Sequence, residues 1–371
     1  MDPMSKARRE VIELERPVHG GLGWRYKGVE DFSSNLNPYG PPPELREYIL
    51  EGSEGLDHYP DDSAEEFLSA VAEHHHVDVR NTIAGAGTAE LIRLFPETFI
   101  ERGDIVVIPA PTFSEYSFAC RLMGAKIEEV LLREDNGLRI DLERLRLKCK
   151  GAKAVYLCNP NNPTGNILRK REVLELAQEF DRTGTLLFLD ETLLDLVRGG
   201  DTISCAKEAT DLSNMFVIRS LTKSFAMPGM RIGYGIGSER MIATMSKARL
   251  SWNLGRLEQH VGARLITECQ GHVRKAAEMM AKEGPRMAKE INGTGMVEAK
   301  TPESFFFFSR CKRLKGAEVQ SAMLSQGVLV RDCASFGHPF DRFVRFAVRT
   351  PEKNDILISA FRKMAEESER R

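Results

Sequence analysis

Long apolar runs are missing from this sequence. No stretch approaches the roughly 18 consecutive apolar residues that a membrane-spanning helix requires. Residues 1–15 are charged throughout and lack the apolar centre of a secretory signal. The chain also has no internal repeat and no low-complexity tail. We therefore expect a cytoplasmic, globular protein.

A surplus of one charge is missing as well. Lys plus Arg number 52 and Asp plus Glu number 54, which gives a net charge of −2. Without a basic surplus there is no general attraction to nucleic acid or to an anionic membrane surface. We expect neither as a partner, and any anion binding must be local.

Cysteines in a paired pattern are missing too. The seven cysteines are scattered, and none forms a CxxC motif with another. An odd, scattered set argues for reduced thiols and against zinc or iron–sulfur ligation. We therefore expect no metal site.

What the sequence does contain is an alternation of helical patterns with short apolar strands. A chain of 371 residues, 42% of them apolar, is long enough for two domains or one large α/β domain. Fully apolar strands of this kind suit a mostly parallel central sheet that is sandwiched between helices. The predicted strands of this sheet are Ile105–Ile108, Ala154–Cys158, Leu186–Leu189, Phe216–Ile218 and Ile232–Ile236.

The C-terminal part has a different pattern and predicts a smaller α+β domain. Its strand candidates are Phe305–Phe308, Gly327–Arg331 and Phe343–Val348, followed by a closing helix over Pro351–Glu367. We predict an N-terminal arm that includes part of the small domain (1–43), a large ligand-binding domain (44–271) and a small C-terminal domain (272–371). Polar turns follow most strands of the large domain, and α/β sheets bind their ligands at such turns.

Ser220–Ser224 is the first motif with a chemical interpretation. Lys223 follows an apolar strand, has hydroxyl residues beside it, and precedes a loop that delivers Arg231. Such a lysine can form an imine next to an anion-binding site. A solvated lysine in a surface turn is the alternative, but the neighbouring Ser220, Thr222 and Arg231 favour the functional interpretation.

Three further motifs end strands or begin helices. Asp190 ends a predicted strand, where a carboxylate can pair with a protonated pyridine nitrogen; a helix cap is the alternative. Asn159–Gly165 contains two prolines, which fix the backbone so that one Asn side chain is aimed reproducibly. Gly85–Glu90 opens a helix whose free N–H groups could hold a phosphate, although a Gly-x-Gly turn alone is weakly specific.

Together these motifs resemble the fold-type I aminotransferase superfamily, an α/β fold whose members depend on pyridoxal 5'-phosphate. The resemblance runs from His19 to the final helix. It implies that Lys223 carries the cofactor through an imine, that Asp190 pairs with the ring nitrogen, and that Asn162 contacts the ring oxygen. It also implies that the phosphate is held by Ser220, Thr222, Arg231, Thr88 and the Ala89 amide.

The resemblance extends to aromatic and small residues around the ring. Phe113 occupies the place of the ring-stacking aromatic residue, and Thr192 that of the small residue on the other ring face. Tyr59 resembles the tyrosine that reaches the phosphate of the neighbouring subunit, which implies a homodimer with shared active sites. Core packing is the alternative for Phe113 and Tyr59. Leu193 departs from the pattern, because many relatives carry a tyrosine there.

Within the superfamily the sequence is similar to two branches, the threonine-phosphate decarboxylases of cobalamin biosynthesis and the histidinol-phosphate aminotransferases. The segments His19–Gly21, Asp31–Pro38, Arg331–Gly337 and Phe343–Arg349 favour the decarboxylase. This implies decarboxylation of L-threonine O-3-phosphate to 1-amino-2-propanol O-2-phosphate, and the aminotransferase is the alternative. The implied substrate contacts are His19, Asn35, Leu36, Asn162, Arg331, Arg345 and Arg349.

Arginines are the expected partners of a substrate that carries both a carboxylate and a phosphate, because planar guanidinium groups match both anions. Arg345 and Arg349, four apart on a regular strand, would point to the same face. A salt-bridged, partly exposed strand is the alternative for these two. For His19, a surface residue in a Gly-rich turn is an equal alternative.

Overall fold

The computed structural model describes residues 6–21 and 23–369. Its strands are β1 (Glu30–Asp31), β2 (Thr82–Ala86), β3 (Ile105–Ala110), β4 (Lys126–Leu131), β5 (Ala154–Cys158), β6 (Leu186–Asp190), β7 (Met215–Ser220), β8 (Ile232–Gly237), β9 (Val297–Glu298), β10 (Phe306–Cys311), β11 (Val328–Leu329), β12 (Arg331–Asp332) and β13 (Phe343–Ala347).

Helices occupy much of the remaining chain. They are α1 (Arg9–Glu13), α2 (Leu45–Gly52), α3 (Glu65–His75), α4 (Thr88–Phe99), α5 (Glu115–Leu122), α6 (Leu142–Lys148), α7 (Lys170–Thr183), α8 (Gly200–Ile203), α9 (Leu221–Ser224), α10 (Glu239–Ser246), α11 (Arg256–Glu268), α12 (Gln270–Gly293), α13 (Gly316–Ser325) and α14 (Pro351–Glu369). Short 3-10 turns lie at Gly23–Arg25, Val79–Asn81, Glu134–Asn136, Leu194–Leu196, Glu208–Thr210, Ala334–Phe336 and Phe340–Arg342.

The central sheet has seven strands in the order β2-β8-β7-β6-β5-β3-β4. The pairs β3–β4, β3–β5, β5–β6 and β6–β7 are parallel, and β8 runs antiparallel to both β2 and β7. The predicted mostly parallel sheet is therefore confirmed. The sequence prediction did not include β2 and β4, which complete the two edges.

Helices cover the sheet on both faces, as the side chains of β5 show. Val155 and Leu157 belong to one buried cluster, and Ala154, Tyr156 and Cys158 belong to another on the opposite face. Every residue of β5 is buried. Alternate residues of a strand point to opposite faces, so a strand that is apolar at every position is one with protein on both sides.

One edge of the sheet gathers the turns that follow its strands. In the parallel register Cys158 lies opposite Asp190, and Asp190 lies opposite Ile218, two residues before the end of β7. On the antiparallel strand, Gly233 pairs with Ser220 and Ile232 with Ala86. The ends of β5, β6, β7 and β2 and the start of β8 therefore meet at the same edge.

A smaller antiparallel sheet, β12-β13-β10-β9, forms in the C-terminal part, in agreement with the predicted α+β pattern. The predicted strand Gly327–Arg331 differs from the observed arrangement. It is two short pairings, with β11 parallel to β1 and β12 antiparallel to β13. The domain boundaries at 43–44 and 271–272 stay a prediction.

The β1–β11 pairing joins the N-terminal segment to the C-terminal part. Phe32 N donates to Leu329 O at 2.8 Å, and Ala347 N donates to Phe32 O at 2.8 Å. The residues that follow Phe32 then run toward the edge of the central sheet, where Asn37 N donates to Lys223 O at 3.0 Å. Within residues 6–21 and 23–369, no helix combines the length and apolar character needed to cross a bilayer.

Candidate active site

A cavity of about 400 Å³ lies at the edge of the sheet where these turns meet. Its volume falls in the range of small-molecule sites. Most of the predicted site residues line it: His19, Asn35, Thr88, Ala89, Phe113, Asn162, Asp190, Thr192, Thr222, Lys223, Arg231, Arg331 and Arg345. Its wall is built from the N-terminal segment, the central sheet and the C-terminal part.

Lys223 lies in α9, the single helical turn after β7. Burial, followed by the charges of Arg345 and Arg231, lowers the pKa of its amine to about 8. A lysine amine is nucleophilic only in its neutral form, so this environment favours attack on a carbonyl near neutral pH.

Asp190 is the last residue of β6 and only 3% of it is exposed. One carboxylate oxygen accepts a hydrogen bond from Tyr116 Oη at 2.6 Å, and the other accepts from Thr192 N at 2.8 Å. Burial raises the pKa of Asp190, while both hydrogen bonds oppose that shift. A buried carboxylate of this kind favours a cationic group beside it.

Tyr116 is a site residue that the sequence prediction missed. It lies in α5, is almost fully buried, and lines the same cavity. Its ring is 5.6 Å from that of Phe113 between centroids. The spacing of three residues from Phe113, at the start of a helix, is the one sequence signal that could have identified it.

The start of α4 is a part of the cavity wall that is suited to binding an anion. Gly87 precedes it with φ +72°, and a Cβ at this position would lie 2.7 Å from Arg231 Nη2. Only glycine therefore lets the Arg231 guanidinium approach the helix start, where Thr88 and Ala89 present N–H groups without intrahelical partners. Ser220 lies just behind this wall, fully buried, with its Oγ 2.8 Å from Thr222 Oγ1.

Arg345 crosses the cavity from β13 to the loop that follows β5. It donates to Asn162 Oδ1, and its Nη2 donates to Ser33 O at 2.6 Å. Burial lowers the pKa of Arg345 to about 10, so the guanidinium remains charged at neutral pH.

Arg331 and His19 close the outer side of the cavity. Arg331 Nη2 donates to Ser335 Oγ at 2.9 Å and to Val18 O at 3.3 Å. His19 Nε2 lies 2.6 Å from Glu115 Oε1, and its ring is 5.9 Å from that of Phe113. The sequence did not indicate Glu115 as the neighbour of His19.

None of the cavity arginines is neutralised by a protein carboxylate. Within residues 6–21 and 23–368, Arg231, Arg331 and Arg345 have no carboxylate within 4.0 Å, and Asp190 has no basic side chain within that distance. Arg345 and Asp190 are buried, and buried charges without partners are costly unless a ligand compensates them, whereas Arg331 is half-buried and Arg231 is exposed. The cavity is therefore suited to a ligand with several anionic groups and one cationic centre.

Three predicted residues, besides Ser220, do not line the cavity. Arg349 lies beyond the end of β13 and donates to Asp31 O, near the Ser33 carbonyl that Arg345 reaches, but it does not line the cavity. Leu36 lies beside the wall and contributes nothing to its surface. Tyr59 is 81% exposed and stacks on Trp252, with ring centroids 4.7 Å apart.

Comparisons with known proteins agree with this chemistry. The chain matches the family described as "Aminotransferase class I and II" over residues 27–361. It is 32% identical over 360 residues to "Putative threonine-phosphate decarboxylase" of Caldanaerobacter subterraneus subsp. tengcongensis, with 97% of each chain covered. It is 28% identical over 375 residues to the histidinol-phosphate aminotransferase of Methanocaldococcus jannaschii, which covers 97% of this chain and 96% of that protein.

Among solved structures, the fold is similar to that of histidinol-phosphate aminotransferase from Sinorhizobium meliloti in complex with pyridoxal-5'-phosphate. The TM-score is 0.86 at 21% identity, with 98% of each chain covered. This likeness establishes the fold.

The pKa of Lys223 leads to a testable expectation. Because the neutral amine is the nucleophile, the rate at which Lys223 condenses with an aromatic aldehyde should rise with pH and level off above a midpoint near pH 8. An ordinary lysine would show a midpoint above about 10. The rate can be measured by borohydride trapping and peptide mapping, with Lys223→Arg as the control. A midpoint near 10 would show that the amine is not held in this environment.

Proposed function

This chain belongs to the aminotransferase class I and II family and uses pyridoxal phosphate, and we propose that it decarboxylates L-threonine O-3-phosphate. The products would be (R)-1-amino-2-propanol O-2-phosphate and carbon dioxide, a step of cobalamin biosynthesis. The observation that carries this proposal is that Arg331 and Arg345 both line the Lys223 cavity, where the described part of the chain offers neither of them a carboxylate partner. A substrate with both a phosphate and a carboxylate supplies two anions for these two cations.

The residues of the cavity fit the cofactor. Asp190, buried without a basic partner, would stand beside the ring nitrogen and hold its proton there. Lys223 would bind the aldehyde carbon, and Asn162 would donate to the ring oxygen while Arg345 holds its amide oxygen. Tyr116 would keep the Asp190 carboxylate oriented through its 2.6 Å hydrogen bond.

The phosphate of the cofactor would lie at the start of α4. The N–H groups of Thr88 and Ala89, the Thr222 hydroxyl and the Arg231 guanidinium all face that end of the cavity. Helix N-termini and arginine both favour phosphate, and glycine at position 87 leaves the room for it. Phe113 and Thr192 would pack on the two ring faces, and buried Ser220 would support Thr222.

The substrate arginines decide which bond of the substrate breaks. When bound, pyridoxal phosphate supplies an electron sink for the pair left by the broken bond. Arg331 and Arg345 would bind the two anions and hold the Cα–carboxylate bond perpendicular to the ring, so that this bond is the one weakened. Lys223 Nζ would then deliver a proton to Cα. His19, fixed by Glu115, and Asn35 would complete the substrate contacts.

An aminotransferase acting on histidinol phosphate is the second candidate. The Methanocaldococcus jannaschii relative that bears this name matches over nearly the full chain, at 28% identity against 32% for the relative named as a decarboxylase. In that reaction the arginines would hold the substrate so that Cα–H breaks instead, and Lys223 would remove the proton.

The two functions differ in their products. We expect the holoenzyme to release carbon dioxide from L-threonine O-3-phosphate and to form aminopropanol phosphate, with nitrogen transfer to 2-oxoglutarate at background level. Both products can be followed in parallel, with histidinol phosphate plus 2-oxoglutarate as the competing reaction. Nitrogen transfer without gas release would overturn the decarboxylase assignment.

The placement of the arginines predicts unequal effects of substitution. Arg331→Met removes a charge-assisted contact worth about 1.5–3 kcal/mol, so KM for the phosphorylated substrate should rise roughly 10- to 100-fold. Arg349→Met is the matched control, because this arginine lies just beyond β13, the strand that pairs with the β12 strand of Arg331, but bonds to Asp31 O outside the cavity. Steady-state kinetics would contradict the proposed contact if both variants raised KM equally.

A homodimer is the second part of the proposal. Leu56, Tyr59, Leu250 and Trp252 are large apolar residues that are more than half exposed. Trp252 N donates to Asp62 Oδ1, which ties the two segments of this patch together. Tyr59 lies outside its own cavity, so it can contact a cofactor phosphate only in the site of a second copy. Contiguous apolar surface of this kind is typical of interfaces.

Mixed dimers test whether Tyr59 acts across the interface. Tyr59→Ala alone should weaken cofactor binding in both sites, and Lys223→Ala alone should be inactive. A dimer of the two variants, refolded together, would contain one site with both Lys223 and the Tyr59 of the other subunit. We expect activity to return in the mixture and the species to sediment as a dimer. No recovery would show that Tyr59 does not act in trans.

A further inference from the structure

We propose that Ser224 is a positioning residue for Lys223, and that a buried ionic cluster outside the cavity acts through it. The proposal rests on the proposed attachment of the cofactor to Lys223, and it does not depend on which substrate the enzyme uses. Ser224 is 1% exposed, lies outside the cavity, and has no contact with substrate or cofactor in the proposed function.

The turn that carries Lys223 cannot hold itself in place. It is the four-residue helix α9, between β7 and a loop in which Ala226 has φ +52°. A single helical turn fixes several backbone torsions for one hydrogen bond and has no stability of its own. The orientation of the Lys223 side chain therefore depends on what holds α9 from outside.

Ser224 is held on two sides. Its hydroxyl donates to Asp195 Oδ2 at 2.6 Å and lies farther, at 3.0 Å, from Ser220 O, and its carbonyl accepts from Asn37 Nδ2 at 2.8 Å. The carbonyl of Lys223 itself accepts from Asn37 N at 3.0 Å. The N-terminal segment thus holds the main chain of the turn, and Asp195 holds its side-chain hydroxyl.

Asp195 is in turn fixed by Arg219, which is 1% exposed. Arg219 donates through Nη2 to Asp195 and through Nη1 to Glu191 Oε2, the latter at 2.9 Å. Glu191 is the residue after Asp190, and Arg219 lies in β7, four residues before Lys223. The cluster therefore joins the strand end that carries the acid to the strand end that carries the lysine.

Burial makes this cluster rigid. The ion pair between Arg219 and Glu191 is buried, and a buried ion pair resists displacement because moving one charge leaves the other without compensation. Ser224 transfers that rigidity to α9 through one short hydrogen bond. The consequence is a fixed place for the Lys223 amine relative to Asp190, which lies opposite Ile218 in the parallel register.

The chain offers a matched pair of variants. Ser224→Ala removes the hydroxyl that links the cluster to α9. Ser204→Ala removes another buried hydroxyl of the same cluster, one that donates to Glu191 Oε2 at 2.6 Å and accepts from Arg219 at 3.0 Å, but does not touch α9. Both lose one buried hydroxyl, so a purely structural role predicts similar changes in both.

The readout is the pH titration of the absorbance of the Lys223-bound cofactor in the holoenzyme. Burial and the Arg345 charge lower the pKa of the free Lys223 amine, and the same surroundings disfavour a positive charge on the cofactor-bound nitrogen, so a turn that is free to move should let the midpoint rise. We expect an upward shift of about 0.5 unit or more in Ser224→Ala, and none in Ser204→Ala. We also expect kcat to fall about 2- to 10-fold in Ser224→Ala, because that range corresponds to the loss of one hydrogen bond. KM should change little.

Equal midpoints in the wild type and Ser224→Ala, with both variants folded by thermal melting, would overturn the inference. A shift of the same size in Ser204→Ala would overturn it as well, because the effect would then be general to the cluster. The Lys223→Ala variant distinguishes a failure of the inference about Ser224 from a failure of the proposed function. If that variant still showed the titrating band, the attachment to Lys223 would be wrong, whatever the result for Ser224.

Discussion

The parallel register of β5, β6 and β7 is the constraint on which the site depends. Because Cys158, Asp190 and Ile218 lie side by side, the loops that follow these strands open at one edge of the sheet. The antiparallel β8 returns Arg231 to that edge, opposite the end of β2. Asn162, Asp190, Lys223 and Arg231 thus converge at one edge of the sheet, although they follow different strands of the chain.

The electrostatics follow from the same arrangement. The edge of the sheet is enclosed by helices and by the C-terminal part, so charges placed there lose water. Burial raises the pKa of Asp190 and lowers the pKa of Lys223, both of which move the two groups toward their neutral forms. The protein itself compensates the charges of these groups poorly. A ligand that brings anions to the arginines and a cation to Asp190 would neutralise them.

The parts of this arrangement that the sequence predicted are those tied to a regular strand. Lys223, Asp190 and Asn162 each come at or soon after a fully apolar strand, and parallel pairing alone brings such positions together. Tyr116 was missed because its role depends on its hydrogen bond to Asp190, a contact 74 residues away in sequence that its spacing from Phe113 does not reveal. Arg349 was predicted as a substrate contact beside Arg345, but it lies beyond the end of β13 and bonds to Asp31 O instead of lining the cavity. The sequence also did not show that residues 327–331 divide between two partner strands, because strand pairing is determined by the tertiary fold.

The segment from Asp31 to Asn37 connects the C-terminal part to the turn that carries Lys223. Its first residues belong to the C-terminal part through β1 and the bond from Arg349, while Asn37 is bonded to the turn of Lys223. Six residues span at most about 20 Å when extended, so the two anchor points cannot move further apart than that while both bonds hold. A displacement of the small sheet beyond this reach would either pull on the turn of Lys223 or break Asn37 away from it, which couples the two sheets mechanically at the nucleophile.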